Sequence, residues 1–331
     1  MTPKKKKNEM EKDYSSVLTI TLEQQKKIKQ QLEQLKQKNV PEYWEEPHCK
    51  INWIPVDDGE IRVLHIKPNN PIGVRPIIFL GGWQTMSYQF YDMYKIMHKR
   101  VEFFVVETRE KYTSKLNRRK ANLSVSQKAK DVQKVIEFFN LENTDYILFG
   151  TCWGATIVCQ GLLDKSIKPP ETIVIFSPMH KLWINKFFLK VIGPLLPAFM
   201  VGFLLKIIPV FLFAREKAKT QKNRMLQTIK DAESWKWKKA GIAAGNLELF
   251  SKLSAIEEEV IVIGGTHDRV HKSYDYPRFA DEMPKGRYFY FGIGEAEREL
   301  TMGLILLEFA KTNSKQKIPK LFEEFERNLD F

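Results

Sequence analysis

The sequence predicts an α/β protein with a mostly parallel central sheet and helices on both faces. Three observations carry this. Short continuous apolar runs recur at residues 75–80 (RPIIFL), 101–106 (VEFFVV), 172–176 (TIVIF) and 260–263 (VIVI), the composition of strands buried on both faces. Helical periodicity appears between such runs, most clearly over 126–140, where Ala129, Val132, Val135, Ile136 and Phe139 share one face. Strand–helix alternation in turn implies parallel neighbours joined by crossover helices. At 331 residues, 43% hydrophobic and 28% charged, the chain can bury a sizeable core.

Residues 1–45 read as a basic, polar leader. Lys4 to Lys7 form a solvated run, and residues 21–39 (TLEQQKKIKQQLEQLKQKN) follow as a polar helix. Its apolar stripe is thin, only Ile28, Leu32 and Leu35, so it is expected to fray or dock loosely. Residues 50–56 and 60–67 alternate apolar and polar side chains around Asp57-Asp58-Gly59, a hairpin signal. The run 75–80 ends in Gly81-Gly82-Trp83, and 145–149 (DYILF) runs into Gly150. A last strand is expected at 287–291 (RYFYF), and a last helix at 299–311 carries Leu300, Leu304, Leu307 and Phe309. The core therefore comprises 46–180 and 253–331.

Residues 181–252 interrupt the alternation and read as an inserted helical cap, apolar and then basic. From Val191 to Leu205 there are fifteen residues without a formal charge. A membrane-spanning helix needs about 20, but Pro194, Pro197 and Pro209, with Lys186, Lys190 and Lys206, argue for short broken helices instead. Such helices would cover an apolar pocket or lie partly in a membrane surface. Nine Lys and Arg residues follow between Ala214 and Ala240, against Glu216, Asp231 and Glu233. They suit anionic headgroups or phosphate.

The formal net charge of +13 favours anionic partners. Nucleic acid is not expected among them, because no recognised nucleic-acid module is present and no aromatic residues interleave with the leader's charges before Tyr43 and Trp44. Three scattered cysteines, Cys49, Cys152 and Cys159, form neither a disulfide framework nor a zinc cluster and fit a cytoplasmic compartment. The leader has no apolar core resembling a secretory signal. Phosphate-loop and dinucleotide motifs are missing from the sequence, and no cofactor or metal is expected.

The chemistry is concentrated at Gly150-Thr151-Cys152-Trp153-Gly154. This G-x-C-x-G follows a buried strand and precedes a helix, which is the nucleophile-elbow pattern with Cys in place of Ser. Glycines flank the central residue because side chains there would collide with neighbouring backbone. The helix N-terminus favours a thiolate.

On these residues, residues 50–312 resemble the α/β-hydrolase family. The matching landmarks are Gly81-Gly82-Trp83, the Glu107-Thr108-Arg109-Glu110 turn, the elbow, a cap after Ser177-Pro178, and the loop Gly264-Gly265-Thr266-His267-Asp268-Arg269-Val270. The resemblance implies an α/β-hydrolase fold, Asp268 as the acid of a catalytic triad, and an oxyanion hole of the Trp83 and Trp153 backbone N–H groups. The cysteine also resembles the polyhydroxyalkanoate synthases, a Cys-using branch, although Ala155 stands where their motif usually has a further glycine.

One position departs from the family. Its histidine follows the last strand, where this chain reads Gly292-Ile293-Gly294-Glu295. A cysteine depends less than a serine on that imidazole, since a free thiol is a few per cent thiolate at neutral pH. His271 could act as base, or Glu295 could take the proton itself. Each also has a plain reading: Cys152 as a small residue at a tight turn, Asp268 as a loop cap, His271 as a surface histidine, and Glu295 as a partner of Arg298. His180 and Cys159 are expected to be structural.

The expected function is hydrolysis or acyl transfer on a lipid-like ester or thioester through Cys152, at the cytoplasmic side and peripherally at an anionic membrane surface. The alternative is a catalytically silent relative that binds a lipid or protein partner.

Overall fold

A computed structural model describes residues 12–182, 184–213, 226–265, 272–313 and 318–330. Among the described residues ten strands form one sheet in the order β1-β2-β4-β3-β6-β7-β8-β9-β10, with the short β5 pairing β2 at the side. The antiparallel hairpin of β1 (Lys50–Val56) and β2 (Gly59–Ile66) opens it, Val56 opposite Gly59 across the Asp57-Asp58 turn. The interior is parallel throughout: β3 (Ile77–Leu80), β4 (Phe103–Glu107), β6 (Ile147–Thr151), β7 (Thr172–Phe176), β8 (Val260–Ile263) and β9 (Gly286–Phe289). β5 (Lys115–Leu116) and β10 (Glu326–Arg327) complete the set.

Period-2 alternation splits the interior strands between two cores. Ile77 and Phe79 of β3 face one side, with Phe103, Val105, Ile147 and Phe149. Ile78 and Leu80 face the other, with Val106, Leu148, Ile173 and Ile175. The first core is covered by α1 (Leu22–Leu35), α2 (Tyr91–Met97) and a long C-terminal helix. The second is covered by α3 (Val125–Phe138) and α4 (Trp153–Leu163). With both faces covered, the central strands read as continuous apolar runs rather than alternating ones.

The leader helix is shorter and better anchored than its composition suggests. Thr21 caps α1, accepting from the Gln24 N–H while Gln24 returns a bond to the Thr21 N–H. Ile28 and Leu32 are buried in the first core, and the Gln24 side chain donates to the Glu324 carbonyl. Two buried residues and a reciprocal cap are enough to seat a helix whose other faces stay polar.

Between β7 and β8 the chain forms α5 (Ala198–Phe213) and α6 (Ser234–Ala244). The apolar helices Phe188–Leu195 and Ala198–Ile207 meet at 118°. Among the described residues no single helix is long and apolar enough to cross a membrane. α6 holds this bent pair: Lys238 donates to the carbonyls of Pro194 (3.0 Å) and Leu196 (2.6 Å), and Leu189 is buried where Gly241 and Gly245 leave room. α7 (Asp275–Asp281) and α8 (Arg298–Lys311) follow β8 and β9. α8 is the long helix against α1 and α2.

Candidate active site

Cys152 sits between β6 and α4 with φ 53° and ψ −111°, a conformation that L-residues adopt only when the surroundings impose it. Here the surroundings do so from both sides. The Cys152 N–H donates to the Phe176 carbonyl at 2.9 Å, extending the β6–β7 pairing to the elbow. α4 then starts against the end of β3, where a Cβ on Gly154 would lie 2.1 Å from the Leu80 carbonyl oxygen. A Cβ on Gly150 would meet the Ala155 nitrogen at 2.7 Å. Both glycines are therefore required by close backbone approach, the reason the spacing predicted.

The sulfur is half-buried and faces two loops. Met179, just beyond Ser177-Pro178, places its Sδ 3.3 Å from Cys152 Sγ. Thr156 on the first turn of α4 fixes that residue by donating to the Met179 carbonyl at 2.7 Å. From the other side comes the turn after β3, close enough that a Cβ on Gly82 would be 3.6 Å from the sulfur. The Thr85 N–H donates to the Gly82 carbonyl at 3.1 Å and tightens that turn. Trp83 and Trp153 meet edge to face at 4.8 Å between centroids. Cys152, Trp83 and Trp153 are thus brought together.

Glu295 lies in the loop between β9 and α8, in a short 3-10 turn. Its charge is one of those that raise the guanidinium of Arg298, the first residue of α8. Asp268 and His271 lie outside the described residues. His180 is tied into the packing: Nδ1 is 2.9 Å from Glu248, Nε2 is 3.7 Å from Asp275, and the ring stacks on Phe250 at 4.1 Å. Cys159 is fully buried, which pushes its thiol up to about 12, and burial takes Cys49 up to about 11. Neither forms a thiolate near neutral pH. A cavity of about 160 Å³ lies between α1 and the Phe291–Gly294 loop and does not include Cys152. No group of His, Cys, Asp and Glu able to hold a metal occurs among the described residues.

Two buried cations were given no role at the site by the sequence, Arg298 having been named only as a partner of Glu295. Lys128 of α3 is fully buried, with Nζ 3.2 Å from Glu110 and 4.9 and 5.4 Å from the ring centres of Trp83 and Trp153. Burial works against its charge and holds it below the ordinary lysine value. Burial alone would raise the Glu110 carboxyl, but Lys128 and Lys111 bring it below the usual range. Lys128 occupies the same face as Ala129, Val132 and Val135, and a charge on a core stripe was the available signal.

The second is Arg298, 9% exposed. It was visible as a cation in the first turn of a helix, where the backbone dipole disfavours positive charge. Burial again works against the charge, but Glu299, the Cys152 sulfur and Glu295 together raise the guanidinium above its ordinary value.

The architecture and the elbow's position are those of the α/β-hydrolase fold. No protein-family model and no curated protein sequence matches the chain. Solved structures do. An esterase from Exiguobacterium antarcticum aligns with a TM-score of 0.62 and 18% identity over 79% of this chain and 99% of its own. A thermophilic esterase from Thermogutta terrifontis gives 0.60 and 13% over 80% and 100%. The enol-lactonase from Burkholderia xenovorans gives 0.57 and 13% over 75% and 96%. At these identities the likeness establishes the fold alone.

Proposed function

Proceeding from the α/β-hydrolase fold, we propose that this chain carries out acyl chemistry, hydrolysis or acyl transfer, on a lipid-like ester or thioester, with Cys152 as nucleophile. The observation that carries this reading is the Cys152 backbone at φ 53°, which sets a half-buried sulfur at the N-terminus of α4 with the Gly82 turn against it. An inert core cysteine gains nothing from a strained turn. A nucleophile gains exposure and orientation.

In the proposed sequence the Cys152 thiolate attacks the acyl carbonyl carbon. The new C–S bond pushes the carbonyl electron pair onto oxygen, and the N–H groups of Trp83 and Trp153 stabilise the oxyanion. Collapse expels the alkoxide or thiolate, which takes up a proton, and leaves a thioester on Cys152. Water or another acceptor then resolves it. Asp268 and His271 are proposed as acid and base, with Glu295 the alternative proton acceptor at the position of the family histidine. A sterically accessible Cys-using site resembling the polyhydroxyalkanoate synthases fits the same scheme.

The test is intact-mass spectrometry after incubation with a mixture of acyl-coenzyme A thioesters and long-chain aryl esters. An acyl adduct on the wild type and none on Cys152→Ala is expected. If neither adduct nor released leaving group appears with any of them, the silent lipid-binding reading replaces the catalytic one.

A second reading concerns the substrate's source. Phe187, Leu195, Phe199 and Phe203, each more than 60% exposed, project from the bent helix pair, and Lys186, Lys190 and Lys206 lie along it. An apolar surface with interspersed cations fits an anionic membrane surface, from which a lipid-like substrate would be drawn.

A further inference from the structure

Stability does not explain the pair Lys128 and Glu110. Both side chains are fully buried, and the face of α3 that carries Lys128 is otherwise lined by Ala129, Val132 and Val135. The ammonium lies 3.2 Å from the Glu110 carboxylate but is not aligned as a hydrogen bond. Replacing such a pair by apolar side chains of similar volume is often neutral or stabilising, so its place in an apolar layer calls for another role.

What the pair touches supplies that role. Lys128 Nζ lies 4.9 Å from the centre of the Trp83 ring and 5.4 Å from that of Trp153, so one cation holds both indoles. The rings themselves meet at 80°. Glu110 holds the same turn through its backbone, its carbonyl accepting from the Gln84 side chain at 2.5 Å, while its carboxylate accepts from the Thr108 hydroxyl at 2.7 Å. Gln84 is buried with φ 53°. Gly81 and Gly82, before it, have no side chains to brace the turn. Trp83 is therefore fixed by its own ring and by its neighbour's amide. Trp153 begins α4, where the first N–H groups have no partner inside the helix.

We propose that the Lys128–Glu110 pair positions the oxyanion hole. Lys128 locks the two indoles together and Glu110 anchors the turn through Gln84, so that the N–H groups of Trp83 and Trp153 converge on one point. This deepens the reading of Cys152 as a nucleophile that becomes acylated, and rests on it. The pair acts through the two tryptophans rather than on the substrate. Donors stabilise an oxyanion well only when they are fixed before its charge develops.

The experiment compares two reactions of Cys152. Alkylation by iodoacetamide needs the sulfur and no oxyanion, whereas acylation by a long-chain aryl ester needs both. The initial rate of each is followed by mass spectrometry of the Cys152 peptide, so that Cys49 and Cys159 do not contribute. Lys128→Met with Glu110→Gln removes the pair without leaving a lone buried charge. In that variant acylation is expected to fall by about tenfold to a hundredfold, less than the loss of a whole donor, while alkylation keeps the wild-type rate. A pair that only supports packing would move the two rates together or move neither, and either result overturns the proposal. Should the double variant not fold, Gln84→Met loosens the same turn with both charges in place. The same selective loss is expected there, and an unchanged ratio of the two rates overturns the proposal. A wild type that is alkylated but never acylated sinks the acyl reading, and the proposal with it. Acylation with an unchanged ratio in the variants strikes only the positioning role.

Discussion

Cys152 shows how much backbone constraint one residue can carry. Its φ of 53° is held by the β6–β7 pairing on one side and by direct contact of α4 with β3 on the other. The contact has no slack, because a Cβ on Gly154 would overlap the Leu80 carbonyl at 2.1 Å, backbone against backbone. Gly154→Ala is therefore expected to lower stability by about 2–3 kcal/mol or more, as overpacking does, with the change read from the urea midpoint at constant slope. A loss below about 0.5 kcal/mol would mean that α4 can start elsewhere and that the elbow is not constrained as described. The glycines were legible in the sequence because their requirement is local, two residues either side of the cysteine. The burial of Arg298 was not, because it depends on how α8 packs against the sheet rather than on its neighbours in the chain.

At the scale of elements, strand positions were legible where burial on both faces makes an apolar run end abruptly. Residues 172–176 and 260–263 coincide with β7 and β8. Residues 145–149 were displaced: β6 runs from Ile147 to Thr151, because Gly150 and Thr151 continue the register opposite Ile175 and Phe176. A pattern of side chains does not show that a glycine still pairs through its backbone. The buried charges between elements were equally hidden. Arg109 reaches Asp131 of α3 at 2.6 Å and Asp58 of the hairpin turn at 3.0 Å, and Arg62 reaches Glu107 at 2.6 Å. Lys128 and Glu110 join α3 to the same loop beneath Trp83. Breaking one member of such a pair leaves an uncompensated buried charge. Lys128→Met is accordingly expected to lose about 3–5 kcal/mol, and Lys128→Met with Glu110→Gln to lose less than the single variant. Urea unfolding of the four proteins in the cycle measures this, and additive losses would show that the two side chains do not interact.

At the scale of the molecule, the sheet and its two cores account for the fold, but they do not account for where the exposed apolar surface lies. That surface is concentrated on the bent helix pair, anchored to α6 through Leu189 and Lys238 and turned outward through Phe187, Leu195, Phe199 and Phe203. Composition alone located the segment, while its exposure depends on which face α6 takes. If the patch meets a membrane, two contributions add: apolar side chains entering the headgroup region, and Lys186, Lys190 and Lys206 over anionic lipid within a net charge of +13. They respond differently to conditions. Salt screens the second and leaves the first intact. Co-sedimentation with phosphatidylserine-containing vesicles is thus expected to exceed that with phosphatidylcholine alone and to weaken, without vanishing, as salt rises. Phe199→Glu with Phe203→Glu is expected to abolish it while alkylation of Cys152 in solution proceeds at the wild-type rate. Equal binding to both vesicle types would remove the electrostatic part of the argument. Undiminished binding by the double variant would remove the apolar part, and with it the case that a lipid-like substrate reaches Cys152 from a membrane.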